Sequence, residues 1–320
     1  MSTSRVCSTI VLAFAFAGQL LGQETSLADR LRAAREIAVN IANAAADEAD
    51  RFAGDHHLRE DSPVLIAQGD SWFAYPFYNV LKFLEWRHEY RIESTAHNGE
   101  WLETMAYDTD QMIDLALLFK RIKGQGKTPK AILLSGGGND IAGPQLTAFL
   151  HHRNSGDAPL DGVIVEEMLA NRLRGDMEFL ITAATKLSQK YFPGRVIPIV
   201  IHGYGYPVPD GRGYVGGGMW YWRGPWLRPA FDTKGYQHTV SDLAIATKAM
   251  HDLIKRYNEV LGQIPKDPGM EHVRYVNVTD LFSDDLSKYK DDWGNELHPT
   301  ADGFKRVAER FVAAIENPVP

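Results

Sequence analysis

The sequence predicts an α/β protein, a three-layer sandwich in which a five-stranded parallel sheet lies between two layers of helices. Two observations carry this. Five short runs read as strands, at residues 64–67, 91–96, 131–135, 196–201 and 273–278, the clearest being the apolar Val64-Leu65-Ile66-Ala67 that stops at a glycine. Between and after them, residues near 80–88, 102–123, 165–190, 241–261 and 301–315 carry helical periodicity. Helices long enough to serve as crossovers, alternating with strands, give a parallel sheet covered on both faces. Composition agrees: 320 residues, 44% hydrophobic and 23% charged, are ordinary for a globular chain that buries a large core. There is no internal repeat and no low-complexity linker, so one main domain, residues 63–320, is the simplest organisation.

The N-terminal residues 1–22 read as a signal peptide. Arg5 supplies the positive start, and Ile10 to Leu21 form an apolar stretch too short to span a bilayer comfortably. Ala15-Phe16-Ala17 and Leu20-Leu21-Gly22 are candidate cleavage sites. The sole cysteine, Cys7, lies before the apolar stretch, so the mature chain is expected to be cysteine-free. Export without disulfides fits a bacterial periplasmic or secreted protein, with no stable membrane insertion once the signal is removed. The net charge of -7 argues against a general nucleic-acid binder.

Residues 23–62 form an N-terminal helix and a connector. From Ser26 to about 52, Leu27, Leu31, Ala34, Ala38, Ile41 and Ala45 recur at helical spacing, and Ser26 and Asp29 resemble a capping box. This helix is expected to pack across the outside of the domain. Gly54-Asp55-His56-His57 reads as a polar connector, because no further ligand stands at metal-site spacing.

Two stretches break the strand–helix alternation. Residues 143–162 look like a loop or small lid. Residues 203–235 form a longer insert in which Tyr204, Tyr206, Tyr214, Trp220, Tyr221, Trp222, Trp226 and Phe231 are set among glycines and prolines. Long aperiodic connections are often functional. Tyr204, Trp220, Trp222 and Trp226 are candidates for binding substrate by stacking on a sugar or clasping an acyl chain. Packing of the loop onto the domain is the alternative role for these rings.

Candidate chemistry begins at Gly69-Asp70-Ser71-Trp72, just past the first strand. A serine past the C-terminal end of a buried parallel strand stands where such sheets bind ligands, although a serine in that place can also cap the next helix. Three further blocks follow in order: His97-Asn98-Gly99, Gly137-Gly138-Asn139-Asp140, and His298-Pro299. In this order they resemble the four sequence blocks of the SGNH/GDSL hydrolases, and the resemblance covers the chain from Val64 onward. It implies a flavodoxin-like fold and assigns Ser71 as nucleophile and His298 as its base. It also assigns an oxyanion hole built from the Ser71 N–H, the Gly99 N–H and the Asn139 side-chain amide. Gly99 and Asn139 each fall just past a predicted strand, as a shared site requires.

One position departs from the family pattern. The triad acid stands three residues before the histidine, and here that residue is Asn295. Asn295 can orient His298 by hydrogen bonding, a carboxylate of Asp291, Asp292 or Glu296 can replace it, or the pair can work as a dyad. The expected function is an exported serine hydrolase that cleaves carboxylic esters, either O-acetyl esters of a glycan or acyl esters. In the second case Met219, Leu227 and Phe231 would line an acyl trough. The alternative, suggested by Asn295 and the aromatic insert, is a non-catalytic carbohydrate-binding module on the same fold. The resemblance calls for no cofactor, and no cluster of residues argues for a metal.

Overall fold

The structure is a computed structural model. It describes residues 62–76, 78–213, 224–283 and 285–317, with the helical positions 28–29, 31–33, 35–36, 39–40 and 43. The proposed signal segment, the His56–His57 connector, Trp220 and Trp222 lie outside the described residues.

Five strands, β1 (Val64–Gly69), β2 (Arg91–Ser94), β3 (Ala131–Ser135), β4 (Ile199–His202) and β5 (Val273–Val276), form one sheet in the order β2-β1-β3-β4-β5. Every pairing is parallel. Central β1 and β3 are buried along their whole length, whereas edge strands β2 and β5 are partly exposed. This is why Val64–Ala67 and Ala131–Leu134 are continuous apolar runs: a strand covered on both faces has no side that favours polar residues. The chain leaves β1 toward one edge of the sheet and returns past it to build the other. The direction of winding therefore reverses between β1 and β3, which opens a crevice beyond their C-terminal ends.

The main helices are α1 (Val80–His88), α2 (Thr109–Gly124), α3 (Arg174–Tyr191), α4 (Val240–Gln263) and α5 (Ala301–Glu316). α1 packs on α5 on one side of the sheet, and α2 packs on α3 on the other. In α5, Phe304, Val307, Ala308, Phe311 and Ile315 recur every three or four residues and are all buried. Thr300 caps this helix, its hydroxyl accepting the Gly303 N–H at 3.3 Å.

Strands β2 and β5 each end two residues before the expected boundary, and three larger differences follow. The helix expected over residues 102–123 is two, Leu102–Tyr107 and α2, because Asp108 takes an extended conformation and accepts the Gln111 N–H at 3.0 Å. An aspartate that bonds the backbone ahead of it starts a helix more readily than it continues one. The helix expected over 165–190 is entered through Gly162–Glu166 and a π-helical segment, Glu167–Leu173. β4 begins at Ile199, not 196, since Val196 is exposed and Pro198 has no N–H to give the sheet. The N-terminal helix touches the domain through Arg35, whose guanidinium donates to the buried Glu178 carboxylate at 2.8 and 3.2 Å.

Candidate active site

β1 ends at Gly69 and delivers Asp70 and Ser71 into the crevice. Asp70, not Ser71, caps the short helix Ser71–Ala74: its Oδ1 accepts the Trp72 N–H at 2.9 Å. The Ser71 hydroxyl is left for other work, and it lies 2.7 Å from His298 Nε2. Asp70 is itself held from below. Its Oδ1 accepts from Ser135 Oγ at 2.7 Å, and its Oδ2 accepts from the Tyr204 hydroxyl at 2.5 Å. Ser135 Oγ also contacts His202 Nε2 at 2.8 Å, and His202 Nδ1 lies 2.6 Å from the Gly203 carbonyl. Burial pushes the His202 imidazole below its ordinary pKa, and the Asp70 charge pulls the other way. Burial, reinforced by Asp70, holds the Tyr204 phenol well above its usual range. The Trp72 ring stacks on His202 with centroids 5.3 Å apart, and its Nε1 donates to the Leu297 carbonyl at 3.2 Å. The turn that carries Ser71 is thus bonded to the loop that carries His298.

That second loop is built around Asn295. Its Oδ1 accepts the Leu297 and His298 N–H groups, both at 2.9 Å, and lies 3.0 Å from His298 Nδ1. Its Nδ2 donates to the Tyr75 hydroxyl at 3.1 Å. Two backbone donors fix which side of the amide is oxygen, so Nδ1 carries the imidazole proton and Nε2 presents a lone pair to Ser71. The Tyr75 ring stacks on the imidazole at 4.2 Å, and Trp226 meets it edge-on at 5.6 Å. Burial among these uncharged groups lowers the His298 pKa to about 3.

Of the carboxylates considered as substitutes for the triad acid, Asp292 and Glu296 are engaged elsewhere. Asp292 accepts from Arg306 at 2.5 Å and from the Ser283 N–H at 2.7 Å, and Asp291 is exposed. Glu296 is fully buried and accepts four backbone N–H groups. These are Gly211 (2.9 Å) and Arg228 (3.0 Å) on Oε1, with Trp226 (2.6 Å) and Leu227 (2.8 Å) on Oε2. Burial raises its pKa, and the four bonds oppose that rise. Its role is to clamp both ends of the aromatic insert onto the His298 loop. Glu296→Ala would leave four donors without their acceptor and is expected to cost on the order of 3 kcal/mol or more. Urea denaturation measures this, with Glu296→Gln losing less; an unchanged midpoint for the alanine variant would refute the clamp.

β3 delivers Asn139 through Gly137. Gly137 has φ +98°, and a Cβ there would lie 1.9 Å from the Tyr257 hydroxyl, which donates to the Gly136 carbonyl. Only glycine fits. Asn139 Nδ2 donates to the Glu100 carbonyl at 2.8 Å, and the next residue, Asp140, accepts the Leu102 N–H at 2.9 Å. The pair Asn139-Asp140 therefore ties down the loop that holds Gly99. Burial raises the Asp140 pKa to about 6. Gly99 sits on an exposed turn with φ +82°. The His97 N–H bonds the Gly69 carbonyl at 2.9 Å, which ties this turn to the end of β1.

A cavity of about 450 Å³, including its open mouth, adjoins Ser71 and Asn139. Tyr204, one of the aromatics expected to meet substrate, lines it with its ring, its hydroxyl being committed to Asp70. Trp226 is half-buried against His298. Among the described residues no group of three or more His, Cys, Asp or Glu is placed to hold a metal ion. No described helix is long and apolar enough to cross a membrane. Sequence reasoning missed Ser135, His202 and the clamping role of Glu296. The one available signal was that Ser135 and His202 are polar residues ending otherwise apolar strands.

No protein-family model matches the sequence, and no curated protein does. Solved structures do match. A lipase from goat rumen metagenome aligns over 81% of this chain and 100% of its own at 12% identity, with a TM-score of 0.51. An extracellular lipase from Streptomyces rimosus aligns over 79% and 100% at 13% identity, with a TM-score of 0.42. A member of the lipolytic G-D-S-L family from Veillonella parvula aligns over 79% and 97% at 11% identity, with a TM-score of 0.42. At such identities the likeness is one of fold, and this chain shares the α/β fold of the goat-rumen lipase.

Proposed function

We propose that the protein is a serine hydrolase of carboxylic esters of the SGNH/GDSL type. The observation that carries this reading is the Ser71 hydroxyl 2.7 Å from an imidazole nitrogen whose tautomer is fixed by Asn295. His298 takes the Ser71 proton as Oγ attacks the ester carbonyl. The oxyanion that forms is held by the Ser71 N–H, the Gly99 N–H and the free N–H of the Asn139 amide. The tetrahedral intermediate collapses, and His298 gives its proton to the departing alcohol. Water, deprotonated by His298, then attacks the acyl-serine, and the carboxylic acid leaves as His298 returns the proton to Ser71 Oγ. Asn295 orients the base without adding charge.

The binding-module alternative is the weaker reading, because an asparagine that sets the imidazole tautomer leaves a working Ser-His pair. Export of the protein is kept as part of this proposal and rests on residues 1–22 alone. The test is hydrolysis of p-nitrophenyl esters by the whole protein and by Ser71→Ala; activity that survives the substitution would sink the reading. Asn139→Ala is expected to lower kcat about 100-fold or more, the typical cost of one oxyanion donor. A change below threefold would remove Asn139 from the oxyanion hole.

A further inference from the structure

Asp70 is 1% exposed, and its partners are the Trp72 N–H and the hydroxyls of Ser135 and Tyr204, none of them a cation. A buried carboxylate with only neutral partners is costly. Counting the protons around it supplies the counter-charge. Asp70 accepts the Trp72 N–H on Oδ1 and the Tyr204 hydroxyl on Oδ2, as an ionised carboxylate does. The Ser135 hydroxyl has one proton and stands 2.7 Å from Asp70 Oδ1 and 2.8 Å from His202 Nε2. That proton goes to Asp70, because a contact of this length without it would set lone pair against lone pair. Ser135 then offers His202 only a lone pair, so Nε2 carries a hydrogen. On the other side of the ring, Nδ1 lies 2.6 Å from the Gly203 carbonyl, which can only accept. Nδ1 therefore carries a hydrogen as well.

We infer that His202 is a buried imidazolium, joined to Asp70 through Ser135 as its counter-charge, and that this pair positions the turn that carries Ser71. The proton count stands by itself; its consequence for Ser71 rests on the ester-hydrolase reading above. From the surrounding elements His202 faces Asp70 after β1, Ser135 at the end of β3, Tyr204 after β4, and the rings of Trp72, Phe73 and Phe311. Asp70 is the charged group among them. Burial favours a neutral ring, and Asp70 opposes it. A neutral ring would leave Asp70 a lone buried anion, so desolvation counts against either single charge and the bond pattern separates the two states. Loss of the His202 proton would turn the Ser135 hydroxyl to Nε2 and drive Asp70 Oδ1 away from Ser135. Asp70 caps the helix that begins at Ser71, so the nucleophile would move with it. Ser135 and His202 are thus positioning residues, and neither belongs to the four sequence blocks.

Ring nitrogen NMR of protein labelled with [15N]histidine tests the count. The His202 signals are assigned by their absence from His202→Gln or, should that variant not fold, by their shift in Ser135→Ala. Two protonated ring nitrogens are expected from about pH 6 to about pH 8, a charge kept well above the ordinary histidine value of about 6.5. One bare nitrogen at neutral pH in the folded protein would overturn the inference. Kinetics test the consequence. In the unaltered protein kcat/KM for a p-nitrophenyl ester should fall at high pH, over the same range in which the His202 signals titrate. His202→Gln keeps an N–H for Ser135 but has neither a charge nor a proton to lose. Its fall at high pH should vanish, and its acid limb should rise by at least about one pH unit, because Asp70 without its counter-charge takes up a proton more readily. Identical pH profiles in the two proteins would overturn the positioning role. Failure of the hydrolase reading is separately visible as ester cleavage indifferent to Ser71→Ala, and in that case the nitrogen spectrum alone decides the ion pair.

Discussion

Replacing Ser71 with alanine is expected to lower ester hydrolysis at least about ten-thousandfold while the fold survives. The change removes one oxygen from a residue whose place is set by others: Asp70 caps its turn, and Trp72 anchors that turn to the His298 loop. Removal of the hydroxyl therefore takes away the nucleophile without loosening its frame. His298→Ala should cost a similar amount, and the double variant little more than either alone, because residues that act in one step are not additive. Circular dichroism and the urea midpoint establish that the variants are folded. Residual activity above one-hundredth of the original in folded Ser71→Ala would mean that another group attacks the ester.

The second large effect concerns Asn295. Asn295→Ala removes the acceptor of three hydrogen bonds, including the contact that sets the His298 tautomer. Loss of tautomer control in a Ser-His site costs up to about ten-thousandfold, and a fall of about a thousandfold or more is expected here. Asn295→Asp is different. Its oxygen accepts the same three bonds, and the Tyr75 hydroxyl can turn from acceptor to donor. Activity should persist, but the pH profile should move. Burial holds the His298 pKa at about 3, so the base is unprotonated throughout the range above that, and the acid limb of kcat/KM should lie far below the ordinary histidine value of about 6.5. A carboxylate at position 295 favours the imidazolium and should shift that limb upward. The same burial affects stability. The native state binds fewer protons at His298 than the unfolded chain does, so its contribution to stability is lost as pH falls from about 6.5 toward 3. An acid limb near 6.5 in the native protein, or one that Asn295→Asp leaves in place, would contradict this account.

Much of the sandwich was legible because its signal is local. Ala131–Ser135 and Val80–His88 emerge with the expected boundaries, since an apolar run and a helical period need no knowledge of neighbours. The break at Asp108 was not visible, because a side chain that competes for backbone donors leaves the apolar period intact, and no residue pattern marked the π-helical segment Glu167–Leu173. At the site, Ser71 and His298 stand 227 residues apart in sequence and in direct contact in the fold, and only the order of the four blocks connected them. Asn295 was open in the sequence because orientation and charge both serve a triad partner, and position alone does not separate them. Its three accepted bonds, and the four donors that occupy Glu296, separate them in space. The support of Asp70 by Ser135, His202 and Tyr204 links the ends of three strands, a relation that no local window contains.

The central claim is that Ser71 is an activated nucleophile, and covalent labelling tests it most directly. The whole protein would be treated with a fluorophosphonate at neutral pH and analysed by intact mass and peptide mapping. The account predicts one adduct per chain, on Ser71, absent from Ser71→Ala and formed far more slowly in His298→Ala. A folded protein that gains no adduct, or one labelled on a different residue, would contradict it.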